Sequence, residues 1–172
     1  MKNISLFVAS LFLASCQSTP ASSESETQIG VEISDAGDRI SLNAGDLSTV
    51  AVWEEYVKAH NERDLEKIKA LNSDTFKAYG PRGEFIDGSE AHGAFLSAWF
   101  KDNAPTWESN YFIANELTNE KGELSQWVTS GHDLTLTVEG KEVKVVQIHD
   151  ALIKDGKVQM FYVYERVKQE NE

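Results

Sequence analysis

The spacing of apolar side chains changes once along this chain, at Pro105. Before Pro105, a helix that begins near Asp46 is predicted, because apolar and aromatic side chains recur there at intervals of three and four residues, at Val50, Trp53, Val57 and His60. After Pro105, apolar and polar positions alternate over long runs, which is typical of strands. Helices followed by strands predict an α+β domain.

Two further helices are predicted before Pro105. Leu65, Ile68 and Leu71 are spaced by three residues and indicate a short second helix. Ser89 is the predicted N-cap of a third helix that extends to about Lys101. The buried stripe of this third helix is predicted from side chains at helical spacing, namely His92, Phe95, Leu96, Trp99 and Phe100.

The predicted strands fall into two groups. Two brief strands, at Thr75–Tyr79 and Glu84–Ile86, flank the turn-forming residues GPRG. Four longer strands are separated by turns that contain glycine, and they are predicted at Trp107–Leu117, Leu124–Val138, Glu142–Ile153 and Val158–Val167. We therefore predict three N-terminal helices packed on one strongly curved, mostly antiparallel sheet.

The first residues are typical of an export signal. Lys2 precedes a run of mostly apolar residues, Ile4–Leu13, that is too short to span a bilayer. The following LASC resembles the lipobox of bacterial lipoproteins, which implies a signal peptide at residues 1–15 and lipidation of Cys16. An ordinary signal peptide is the alternative, although Cys16 is the only cysteine and has no disulfide partner within the chain.

Residues 16–44 are predicted to connect this anchor to the domain. Gln17–Gln28 contains no large apolar residue, and such a segment favours a flexible tether. Ile29–Asn43 alternates apolar and polar residues around DAGD, which indicates either a small hairpin or an ordered strand against the domain. The domain itself is predicted at residues 45–168, with a tail at residues 169–172.

Charge and the spacing of histidines limit the kinds of partner and cofactor that we expect. A net charge of −12 disfavours nucleic acid and anionic membrane surfaces, so we expect membrane contact through the lipid anchor only. The four histidines lie on separate predicted elements at no metal-ligand spacing, and no glycine-rich phosphate loop or nucleophile elbow occurs. We expect neither a metal nor another cofactor.

Two segments, FIDGSEAHGAF and GKEVKVVQIHDALIKDGKV, resemble the nuclear transport factor 2-like superfamily and its SnoaL-like bacterial members. The resemblance covers about Gly45 to Val167. It implies a cone-shaped fold with a pocket open at one end, and a homodimer through the outer face of the sheet. Superfamily members include isomerases, dehydratases, cyclases and proteins with no known reaction, so the fold does not decide the function.

Strand geometry separates the candidate histidines from their acidic neighbours. His149 and Asp150 point to opposite sides of a strand and cannot form a dyad. His149 shares its face with Gln147, and the two suit a pocket wall. His92 lies on the predicted buried stripe beside Trp99 and is the second candidate proton carrier. The alternative for either histidine is a hydrogen-bonded core residue.

Aromatic and acidic side chains complete the candidate site. Tyr56, Tyr79 and Tyr162 are predicted to offer hydroxyls to a ligand, although aromatic residues at such spacings are often core. In the SnoaL-like cyclases that this chain resembles, an acidic residue on the last strand serves as acid and base. In the matching stretch VQMFYVYER the only acidic residue is Glu165, which lies near the end of the strand.

Three functions follow from these features. The first is a lipid-anchored binding module whose pocket holds a small apolar molecule or a segment of an envelope protein. The second is an acid–base isomerase or dehydratase that uses His149 or His92 with a tyrosine. The third is a structural homodimeric lipoprotein. Gln17 after the cysteine favours the outer membrane, facing the periplasm, in lipoproteins that resemble this one.

Overall fold

The computed structural model describes residues 27–169 and 171–172. The predicted signal peptide, Cys16 and nearly all of the tether lie outside the described residues. The three predicted helices are found as α1 Leu47–Glu62, α2 Leu65–Leu71 and α3 Ser89–Asn103. The strands are β1 Gln28–Ile33, β2 Arg39–Ala44, β3 Asn72–Tyr79, β4 Phe85–Asp87, β5 Thr106–Thr118, β6 Leu124–Val138, β7 Lys141–Lys154 and β8 Lys157–Val167.

The described strands form one sheet in the order β1-β2-β5-β6-β7-β8-β3-β4. Every neighbouring pair is antiparallel except β3 and β8, which run parallel. The sheet curls around the helices, with α1 in contact with β5 to β8 and α3 in contact with β3, β4 and β6. The predicted α+β architecture of helices on a curved, mostly antiparallel sheet is therefore confirmed.

The segment before α1 forms a hairpin, which is one of the two alternatives predicted for it. β1 pairs with β2 along its length, and β2 joins the rest of the sheet through Asn43 and Ala44, opposite Glu116 and Asn115 of β5. At Gly45, a Cβ atom would lie only 2.8 Å from the backbone nitrogen of Asn115, so the junction requires glycine. The hairpin thus extends the sheet by two strands.

Local side-chain contacts set where the helices begin. The Asp46 carboxylate accepts a hydrogen bond from the Ser48 amide at 2.8 Å, and Asp64 accepts one from the Lys67 amide at 2.9 Å. The prediction of Ser89 as an N-cap is wrong. The cap position is Gly88, whose φ of 94° favours glycine, and the Ser89 hydroxyl instead accepts a hydrogen bond from Asn72.

Alternation along the strands gives the sheet two faces. The concave face points toward the helices and carries Val145, Gln147, His149, Ala151 and Ile153 from β7, all buried. The convex face points away from the helices and carries the intervening side chains. Since the helices cover only the concave face, the main core lies between them and that face.

Candidate functional site

A cavity of about 140 Å³ lies between α1, α3 and the concave face of the sheet. It reaches the surface at the turn between β3 and β4, where Pro81 and Arg82 are exposed. Aromatic, aliphatic and imidazole groups make most of its wall: Trp53, Tyr56, Val57, His60, Ala78, Ile86, His92, Phe95, Leu96, Trp99, Trp107, His149, Phe161 and Val163. The remaining lining residues are Gly80, Pro81, Arg82, Glu84, Gln147 and Glu165.

Aromatic rings in contact with one another hold this wall in place. Trp53 stacks on Tyr56, one turn further along α1, with ring centroids 5.0 Å apart. Trp99 of α3 meets Trp107 of β5 at 5.6 Å, and Phe161 of β8 lies 5.6 Å from Trp53. The last two contacts join helices to strands across the cavity.

A hydrogen-bonded chain crosses the concave face from the cavity mouth inward. Arg82 donates to the Glu165 carboxylate at 2.9 Å, and Gln147 donates its amide N–H to the same carboxylate at 3.0 Å. The carbonyl oxygen of Gln147 accepts from the Trp107 indole at 2.9 Å and lies 3.0 Å from Nε2 of His149. Because indole and carboxylate leave Gln147 one orientation, His149 must donate from Nε2.

A second buried cluster joins α1, α3 and the start of β3. The Tyr56 hydroxyl donates to the Asn72 side-chain oxygen at 2.7 Å, and Asn72 donates to Ser89 at 3.0 Å. Nδ1 of His92 lies 3.3 Å from the Tyr56 hydroxyl, and Nδ1 of His60 lies 2.8 Å from the Tyr56 backbone oxygen. Two helices therefore present imidazoles side by side at the cavity.

Burial keeps the histidines neutral at pH 7. Desolvation lowers the pKa of His60 to about 4, and that of His92 to about 3. It also lowers the pKa of His132 to about 4, and brings the pKa of His149 well below its usual value, with His132 and His60 nearby as further causes. Desolvation raises the pKa of the Tyr56 hydroxyl well above 10. The polar groups of the cavity wall are thus uncharged, apart from those at its mouth.

The structure brings most of the predicted site residues together. Tyr56, His92, Trp99, Gln147 and His149 all line the cavity. The predicted separation of His149 from its neighbour is also found, since Asp150 accepts a hydrogen bond from Thr129 on the convex face. That these residues bind a ligand, or that His149 or His92 is catalytic, stays a prediction.

The placement predicted for Tyr79 and Tyr162 is wrong. Both lie on the convex face, where their rings stack with centroids 4.8 Å apart across the parallel pair of β3 and β8. Their strand neighbours Ala78 and Phe161 line the cavity instead. Successive side chains of a strand point to opposite sides. The prediction therefore assigned both tyrosines to the wrong face of the sheet, and it is the residues before them that point into the pocket.

Sequence reasoning missed several lining residues. His60 and Trp53 were predicted only as one face of α1, although their spacing with Tyr56 already placed them beside it. Arg82 carried no signal, since it lies in a turn. Glu165, near the end of its strand, reaches the cavity and joins Arg82 to Gln147.

Residues 27–169 and 171–172 contain neither a candidate metal centre nor a candidate membrane-spanning helix. Within that part of the chain, no three His, Cys, Asp or Glu side chains are grouped so that they could hold a metal ion. None of the helices described there has the length and apolar composition that a membrane span requires.

The fold is similar to that of solved structures at low sequence identity. An LEH-like epoxide hydrolase from M. tuberculosis superposes with a TM-score of 0.58 at 13% identity, covering 69% of this chain and 83% of the other. A candidate ketosteroid isomerase from Kribbella flavida gives 0.56 at 16% identity, covering 72% of this chain and 81% of that one. A nuclear transport factor 2-like protein from Burkholderia xenovorans gives 0.55 at 12% identity, covering 72% and 93%.

These similarities show the fold alone, which is nuclear transport factor 2-like. No family model matches this chain, and no curated protein matches its sequence. The function must therefore be argued from the cavity and its side chains.

Proposed function

We propose that this domain is a binding module that holds a small, mostly apolar molecule in its cavity. The cavity itself carries the proposal, because it combines an aromatic wall with an opening at the β3–β4 turn. Its volume of about 140 Å³ limits the ligand to a compact molecule. An apolar cavity of roughly 150 Å³ holds a benzene molecule, which sets the scale.

An acid–base enzyme is the second candidate, favoured by the position of Glu165 at the cavity and by the names of two proteins with a similar fold. Binding is favoured over it because the acid and the histidine do not meet. Gln147 lies between Glu165 and His149 and hydrogen-bonds to both. A direct proton transfer between the two would require Gln147 to move away.

To test binding, toluene is titrated into the full chain carrying Cys16→Ser, and the NMR signals of the indole N–H groups are monitored. Trp53, Trp99 and Trp107 line the cavity, whereas Trp127 lies on the convex face and serves as an internal control. We expect saturable shifts of the lining indoles only. Native mass spectrometry of the same protein would reveal a molecule retained during purification.

A matched pair of variants on β8 locates the bound probe. Val163→Phe adds volume at the cavity wall and is expected to abolish toluene binding, because the added ring occupies the space of the probe. Tyr164→Phe, the next residue along the strand, alters the convex face and is expected to leave binding unchanged. Equal affinity of both variants would contradict a ligand site in this cavity.

We further propose that the chain is an envelope lipoprotein whose only membrane contact is a lipid on Cys16. The apolar run Ile4–Leu13 and the following LASC support this. Gln17 favours the outer membrane, facing the periplasm. Cys16→Ser is expected to move the protein from the membrane fraction to the soluble fraction, and retention in the membrane would reject lipidation there.

Self-association through the convex face is also proposed. Exposed side chains on that face include Tyr111, Ile113 and Tyr164, with 43%, 48% and 59% of their surface accessible. A contiguous apolar patch on the exposed face of a sheet is commonly covered by a partner. An envelope protein is the alternative partner, and the oligomeric state of the purified chain distinguishes the two.

A further inference from the structure

From the hydrogen-bonding state of the cavity imidazoles, we infer that the site selects neutral ligands that donate a hydrogen bond, such as alcohols or phenols. Ligands of the same shape that only accept hydrogen bonds are disfavoured. This inference rests on the proposed binding function and adds the chemical class of the ligand.

The tautomer of His60 is set by the backbone. Its Nδ1 lies 2.8 Å from the carbonyl oxygen of Tyr56, and a carbonyl oxygen can only accept. Nδ1 therefore carries the hydrogen of the neutral ring, and Nε2 carries a lone pair. Nε2 makes no hydrogen bond to residues 27–169 and 171–172, and the His60 side chain lines the cavity.

The tautomer of His92 follows from the hydroxyl beside it. Tyr56 has one hydroxyl hydrogen, which it donates to Asn72 at 2.7 Å, so its oxygen is left to accept from Nδ1 of His92 at 3.3 Å. The Asn72 amide nitrogen lies farther from that atom, at 3.5 Å. Nε2 of His92 then carries a second lone pair, with the two rings 5.6 Å apart.

The donors on the cavity wall are mostly committed to protein partners. The Trp53 indole donates to Ser130 at 2.8 Å, and the Trp107 indole donates to Gln147 at 2.9 Å. His149 donates to the same Gln147 oxygen at 3.0 Å. Three lining side chains have hydrogens to spare: Gln147, which donates only one of its two amide hydrogens, to Glu165; Trp99, which is half-buried; and Arg82, which is exposed at the mouth.

Between α1 and α3 the cavity therefore presents two acceptors, Nε2 of His60 and Nε2 of His92, whereas the spare hydrogen of Gln147 lies on the sheet. A ligand that donates a hydrogen bond satisfies Nε2 of His60 or His92, whereas a carbonyl compound leaves both unsatisfied and lacks a donor of its own. A carboxylate is excluded further by the lack of an interior cation, since burying an unpaired charge is costly. Neutral imidazoles at pH 7 keep both acceptors available.

The test compares toluene, cyclohexanone and cyclohexanol, which have the same number of non-hydrogen atoms, on the full chain carrying Cys16→Ser at pH 7.5. Dissociation constants are taken from the shifts of the lining indoles. We expect cyclohexanol to bind roughly fivefold more tightly than cyclohexanone, the difference that one net hydrogen bond makes. Equal affinities, or tighter binding of the ketone, would overturn the inference.

The toluene titration separates this failure from failure of the proposed function. If toluene binds without any preference for the alcohol over the ketone, the binding function stands and the inference is wrong. If none of the probes binds, both are wrong. His60→Phe and His92→Phe are each expected to reduce the alcohol preference while toluene still binds, with Tyr164→Phe as control. If either histidine variant does not fold, the affinities of cyclohexanol and cyclohexanone for the protein with both histidines decide whether the inference holds.

Discussion

The two faces of the sheet are built from the same strands, yet they carry different chemistry. On the concave face, polar side chains such as Gln147 and His149 are buried and hydrogen-bonded to one another. On the convex face, Trp127, Tyr162 and Tyr79 stand in a row of stacked rings, at 6.2 and 4.8 Å, that continues to the exposed Phe85 at 5.1 Å. The concave face thus buries polar groups among apolar ones, and the convex face carries aromatic rings that are only partly covered.

The difference teaches where function is to be sought. A buried polar group is costly unless it is hydrogen-bonded, so a concave face rich in such groups indicates a site rather than a core alone. A row of partly exposed rings has no such partner within the described part of the chain, and a contiguous apolar patch of this kind favours contact with another molecule. We therefore expect small-molecule binding on one face and association on the other.

The largest expected effect is acid sensitivity, which belongs to the helix side of the sheet. All four histidines lie there: His60, His92, His132 and His149. Their folded-state pKa values are lowered, so below about pH 6.5 the unfolded chain binds protons that the folded chain cannot. The histidine contribution to the free energy of unfolding is complete above pH 6.5, and it decreases as the pH falls toward the folded pKa values near 4 and 3.

Each histidine contributes a slope of roughly 1.4 kcal/mol per pH unit in this window. Urea unfolding at pH 7.5, 6.5 and 5.5 measures the slope, and His132→Gln is expected to reduce it by about a quarter, since one of four groups is removed. A free energy of unfolding that stays constant down to pH 5 would show that the histidines are not buried as neutral groups.

The second-largest effect is a difference in stability loss between two tryptophan variants, one from each side of the sheet. Trp53 is 1% exposed and donates to Ser130, so Trp53→Ala is expected to cost about 3–5 kcal/mol of unfolding free energy. Trp127 is half-buried and loses mainly its stacking on Tyr162, so Trp127→Ala is expected to cost no more than about 1.5 kcal/mol. Denaturant unfolding at pH 7.5 checks both, and similar losses would remove the contrast between the faces.

The smallest effect on stability is expected from Tyr164→Glu. This residue is 59% exposed, so the free energy of unfolding should change by no more than about 0.5 kcal/mol. Self-association should nevertheless be lost if the convex face is the interface, because a charge is then buried without a partner. Sedimentation velocity of both proteins measures this, and an unchanged oligomeric state would place the interface elsewhere or exclude it.

Much of the fold was predictable because local patterns specify it. The period of three to four before Pro105 and the alternation after it located α1 to α3 and β3 to β8 within a few residues. The residue that caps α3 was predicted incorrectly from such local patterns. Gly88 adopts a positive φ and Ser89 pairs with Asn72, a residue distant in the chain, so a local capping rule chose the wrong residue.

The candidate site was predictable only in part. Strand alternation correctly separated His149 from Asp150, but the same rule does not say which of two aromatic neighbours faces inward. Phe161 and Tyr162 are both compatible with a pocket wall as sequence, and the structure places Phe161 there. Arg82 and Glu165 come from a turn and from the end of a strand, and they meet only when β3 and β8 pair.

The amino-acid sequence by itself determined the elements, their order and the α+β class, because propensity and periodicity act over a few neighbouring residues. Tertiary structure alone decided which face the helices cover, since that choice depends on contacts between distant segments. It also set the protonated nitrogen of His60 and of His149, through the Tyr56 carbonyl and Gln147. The cavity and its hydrogen-bonding character therefore belong to the packing, not to any one stretch of chain.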